Sequence, residues 1–137
     1  EAGRIKDATR ELATIEQGRF AAAYALAAIP VRYALERGRW NEAAEIALHP
    51  GELDFPWDSF ANAEAVNAFG RGLGAARSGE LALARGQIAR LDLLRQAMIE
   101  AKQTNWATQA AIQSEVMQAW VAQGEGRSVF CGGWLQP

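Results

Sequence analysis

The chain has 137 residues, 50% of them hydrophobic and 22% charged, which is enough apolar material for one globular domain and too much for a disordered segment. Its 14 basic and 16 acidic residues leave a formal net charge of −2 and are scattered, so the basic stripe that a nucleic-acid partner demands is absent. No apolar run approaches the roughly 20 residues needed to cross a bilayer, so no membrane partner is expected, and the opening EAGRIKDATREL lacks the apolar region of a signal peptide.

Apolar residues recur at helical spacing almost throughout. Ile5, Ala8, Leu12 and Ile15 mark a first helix that EQGR, with Gly18, is expected to end. A second, over 20–37, carries Phe20, Tyr24, Ala27, Val31 and Ala34 on one face and stops at Gly38. Pro30 lies inside it, and because its ring crowds the carbonyl of Leu26 a kink is expected there. A short third helix over 40–48 turns Trp40, Ala43, Ala44 and Ala47 inward and ends at His49-Pro50-Gly51. After the long connection GELDFPWDSF, Asp58 reads as the N-cap of a fourth helix reaching Arg77, with Phe60, Val66, Phe69, Leu73 and Ala76 inward. The fifth keeps Leu81, Ala84, Ile88, Leu91, Leu94 and Met98 in register, opposite Arg85, Arg90, Arg95, Glu100 and Lys102. A sixth, over 105–123, has Trp106, Ala110, Gln113, Met117 and Trp120 on one face with Ile112, Val116 and Ala119 beside it, which predicts a helix packed between neighbours. No segment alternates as a strand does, so no sheet is expected.

Gly70-Arg71-Gly72-Leu73-Gly74-Ala75 satisfies the G-x-G-x-x-G/A string of a dinucleotide turn, and Asp92 follows about twenty residues later. The context fails, because ANAEAVNAF, where a buried strand is required, is a helix former with Asn and Glu in it. Glycines four apart on a helix instead make a thin surface against which another helix can lie closely. Neither a cofactor nor a catalytic role is expected. His49 is the single histidine and has no ligand-spaced partners, and its place is read as a helix C-terminus. Cys131, the single thiol, leaves no intrachain disulfide, fits a reducing, cytoplasmic setting and is read as a bystander. Phe55, Trp57 and Phe60 beside Asp54 and Asp58 could be a ligand lip, but read better as an aromatic plug over the end of a hairpin.

Three places share a local grammar: ERGRWNEA at Gly38, RSGELALA at Gly79 and GEGRS at Gly126. Gly38 and Gly79 are each followed two residues on by an apolar group, Trp40 or Leu81, and three beyond that by Ala43 or Ala84. Gly72 and Ala75 precede the second of these in register. This pattern, over about 20–127, resembles the tetratricopeptide repeat of bacterial helical-repeat proteins, with spacings longer than the standard ~34 residues. HEAT-type repeats have the longer period but account less well for the glycine, apolar, alanine spacing.

The resemblance implies an all-α fold, a right-handed stack of antiparallel helix hairpins with about six helices over 1–127. It also implies non-catalytic binding of a peptide or protein segment. First helices of successive hairpins line one face, and on this register that face carries Arg32, Leu35, Glu36, Phe69, Leu73, Arg77, Gln113 and Trp120. The family's Lys, Asn and Arg clamp for a peptide carboxylate is not reproduced. The competing expectation is a small-molecule or enzymatic cavity lined by Trp57, Arg71, Trp106 and Trp120. Residues 128–137, SVFCGGWLQP, leave the pattern and read as a non-repeat tail from truncation of a longer array. Its Val129, Phe130, Trp134 and Leu135 are expected to cover apolar helix surface in the same chain or, as a homodimer, in a second copy.

Overall fold

The computed structural model describes the backbone of residues 2–49, 51 and 55–126, with side chains from Arg19 onward. Among them are five α-helices, one 3-10 turn and no strand: α1 (Ala2–Glu36), α2 (Trp40–Glu45), the 3-10 turn Trp57–Ser59, α3 (Ala61–Ser78), α4 (Leu81–Glu100) and α5 (Thr104–Gly124). The expected tail, residues 128–137 with Cys131, lies outside the described residues, as does Asp54.

The count of six is corrected because the first two expected helices are one. Gly18 and Pro30 both sit inside α1. A glycine inside a helix costs only about 1 kcal/mol, and Gly18 stands among good helix formers, so it does not force a break. The glycines that do end helices are those in the left-handed region. Gly38 has φ 67° and Gly79 has φ 87°, and in each case the next amide donates to a carbonyl five residues back, Arg39 to Ala34 and Glu80 to Ala75, at 2.9 Å. Lys102, at φ 59°, makes the same turn without a glycine, Gln103 donating to Met98 at 2.8 Å.

Two further boundaries move. Helix α2 stops at Glu45, where Ile46 becomes extended, so Ala47 is exposed and His49 stands beyond the helix end it was expected to occupy. Asp58 falls within the 3-10 turn, and Phe60, which offers no side-chain cap, precedes α3.

Helix α3 is the centre, and its inward face is not the expected one. Phe60, Val66, Phe69 and Leu73 are only half-buried, whereas Asn62, Ala63, Glu64, Ala65, Asn67, Ala68, Gly70, Gly72, Gly74, Ala75 and Ala76 are buried. The reason is proximity. A Cβ on Gly70 would stand 2.6 Å from Val31 Cβ of α1. On Gly74 it would stand 2.6 Å from the Trp40 carbonyl oxygen and 2.8 Å from the Ala44 nitrogen of α2, and on Gly72 it would run into Met117 Sδ of α5 and lie 3.0 Å from Gln87 Cβ of α4. The glycine string therefore meets all four other helices.

Contacts fix the directions. Ala23 and Ala27 pack with Ala63, and Val31 with Gly70, so α1 and α3 run parallel. Ala65 and Ala68 share a cluster with Ala107 and Ala110, while Ala75 and Ala76 share one with Val121, so α5 is parallel to them. Helix α4 returns antiparallel: Arg90 reaches Glu64, Gln87 faces Gly72, and Ala84 joins Ala75 and Ala76. On α5, Ile112 and Val116 are exposed, so this helix is not enclosed on both of its apolar sides.

Candidate functional site

Parallel α1, α3 and α5 leave a groove of about 380 Å3 between them. Its wall from α1 is Tyr24, Val31 and Leu35, its floor from α3 is Val66, Phe69 and Gly70, and its far wall from α5 is Trp106, Gln109 and Gln113. Arg32 and Glu36 complete it, paired one helical turn apart at 3.6 Å and both well exposed. Gly70 lets Val31 settle close to α3. One end is built from rings: Phe20, Tyr24 and Trp106 stand 6.0 to 6.1 Å from one another, centre to centre, joining α1 to α5.

Five of the eight residues expected on a binding face line this groove: Arg32, Leu35, Glu36, Phe69 and Gln113. The other three do not. Leu73 is half-buried one turn beyond Phe69. Arg77 lies between two rings, its Cζ 4.3 Å from the centre of Trp40 and 4.1 Å from that of Trp120. Trp120 also packs against the cluster of Ala44, Ala75, Ala76, Ala84 and Val121, so both residues clasp helix ends together.

The groove also uses residues that the sequence reading did not place there, chiefly Tyr24, Trp106 and Gln109. The four-residue step from Gln109 to Gln113 on α5 was the available signal for the last.

The four residues of the expected aromatic cavity do not line one pocket together among the described residues. Trp57, 2% exposed, is a plug against Ala23, Ala27 and Ala63, with the Phe55 ring 4.5 Å away. Arg71 donates through Nε to the Ala44 carbonyl at 3.2 Å, and Asn67 through Nδ2 to that of Ile46 at 3.0 Å. Both thereby satisfy acceptors that the short α2 leaves open at its end. Trp106 is at the groove, and Trp120 is under Arg77.

Among the described residues, no group of three or more His, Cys, Asp or Glu side chains could hold a metal ion, and no helix is long and apolar enough to cross a membrane. No family model, curated protein or solved structure matches the chain.

Proposed function

We propose that the chain is a tetratricopeptide-like stack of helix hairpins that binds a peptide or protein segment, without catalysis or cofactor, in the groove between α1, α3 and α5. The observation that supports this reading is that the three parallel helices α1, α3 and α5 contribute side chains to one groove. Its lining mixes aromatic and aliphatic surface from Tyr24, Phe69, Trp106 and Leu35 with the carboxamides of Gln109 and Gln113. Carboxamides donate and accept at once, so they suit the peptide groups of an extended chain, while the rings take apolar side chains. A cytoplasmic partner suits the single thiol, and the balanced charge gives no grip on nucleic acid.

Selection of peptides from a random display library against the full chain tests this. Selected peptides should lose at least about tenfold in affinity when Gln109 and Gln113 are both changed to Arg, which fills the groove with two long cations. They should bind unchanged to Leu93→Arg, an exposed position on α4. Peptides that bind the double variant as well as the parent, or a library that yields none, would remove the groove as the site.

A further inference from the structure

Helix α1 is 35 residues, about 52 Å long, whereas the 18 residues of α3 span about 27 Å. Because α3 begins alongside Ala23, several turns of α1 precede the place where the pair meets. Among the described side chains, the large hydrophobic ones that α1 exposes are Leu26, Ile29 and Tyr33, at 38, 65 and 53%. They lie away from the stripe Ala23, Ala27, Val31 and Ala34 that faces the body.

Their spacing is the alternating three and four of a coiled-coil seam, and the sequence carries that spacing back without a slip. Ile5, Ala8, Leu12, Ile15, Arg19, Ala22, Leu26, Ile29 and Tyr33 occupy successive a and d positions. A 3.5-residue repeat held this long is the signature of a helix that winds around another.

We infer that α1 pairs with α1 of a second copy of this chain as an antiparallel coiled coil. The seam is complementary to its own reverse. Placing Leu12 opposite Ile29 puts Ile15 opposite Leu26, Ala8 opposite Tyr33 and Ala22 opposite Arg19, so from Ala8 to Tyr33 each large group meets a small one or an apolar one, and Ile5 falls opposite Glu36 at the last residue of the helix. The same register sets Glu11 opposite Arg32 at the flanking g positions, an attractive pair made twice by the two-fold axis. A parallel pairing would instead set Tyr33 on Tyr33 and Arg19 on Arg19. Arg19 has no ion pair with another described residue and serves as the single polar residue of the seam between Ile5 and Tyr33, which fixes the register. Arg32 also lines the groove, so the Gln109 and Gln113 variant, which leaves α1 unchanged, separates this pairing from the groove reading.

Sedimentation of the full chain up to about 100 µM should give a dimer. Ile29→Glu, at an exposed position, should give a monomer with unchanged helical circular dichroism. Glu11→Arg and Arg32→Glu should each weaken dimerisation about two- to fivefold, and together restore it. In a Cys131→Ser background, Ala8→Cys mixed with Tyr33→Cys should form a disulfide-linked pair, and Tyr33→Cys alone should not. A monomer throughout the concentration range, a dimer that survives Ile29→Glu, or self-linking of Tyr33→Cys each overturns the proposal. Loss of peptide binding in the Gln109 and Gln113 variant with the dimer intact would leave it standing.

Discussion

At the scale of the residue, the glycines of α3 decide the architecture, and their meaning follows from what a side chain would strike. Gly74 faces backbone atoms of α2, which cannot rotate out of the way, whereas Gly86 in the middle of α4 has nothing within 4 Å of an added Cβ. Both substitutions to alanine gain about 1 kcal/mol of helix propensity. Gly86→Ala should keep that gain and stabilise the protein by about 0.5 to 1 kcal/mol. At Gly74 the overlap outweighs it, and Gly74→Ala should destabilise by about 1 to 3 kcal/mol as α2 is pushed away. Urea unfolding of the two variants measures both, and a Gly74→Ala protein as stable as its parent would mean that α2 is not seated on α3. This part of the sequence was legible in kind. ANAEAVNAF could not be the strand that a dinucleotide turn needs, so the glycines had to serve packing. Which helix each glycine meets was not legible, because a glycine carries no sign of its neighbour.

At the scale of the element, the helices with large apolar residues in register were legible, and α3 misled. Fourth-helix hydrophobics such as Phe69 and Leu73 are half-buried because α3 is enclosed too tightly for large groups, and only small or fully satisfied polar ones fit its inner faces. Glu64 is the extreme instance, 6% exposed and held by Arg90, whose Nε and Nη2 reach Oε1 at 2.7 and 2.6 Å. Removing the cation strands the carboxylate. Arg90→Met should destabilise by about 2 kcal/mol, less than for a fully buried pair because the Arg90 side chain is 40% exposed. Adding Glu64→Leu should recover most of that loss. A double variant no more stable than Arg90→Met would show that Glu64 has a role beyond pairing. The groove was legible in part, from Arg32, Leu35 and Glu36 on one face of α1 with Phe69 on α3 and Gln113 on α5. Its other walls depend on how far α3 and α5 stand apart, which the ring cluster of Phe20, Tyr24 and Trp106 and the glycine contacts set together.

For the molecule as a whole, stability and the shape of the groove rest on one helix. Helix α3 touches α1 through Gly70, α2 through Gly74, and α4 and α5 through Gly72, and it supplies the groove floor. Stacked hairpins ordinarily divide their stability among nearest neighbours, so that end units open before the middle. Here any opening that frees α3 must release every other helix at once. Native-state hydrogen exchange should therefore find the amides of Ala65, Ala68 and Ala75 protected up to the full free energy of unfolding. The six-residue α2, whose terminal carbonyls depend on Asn67 and Arg71, should open at a lower free energy, and Arg71→Met should lower it further without reaching α3. A peptide bound in the proposed groove would contact Val66 and Phe69 and so should raise the protection of α3 and leave the separate opening of α2 unchanged. Exchange of α3 amides at the same low free energy as α2 would mean that the two open as one hairpin, and the groove floor would then be a mobile wall instead of the fixed element against which α1 and α5 are set.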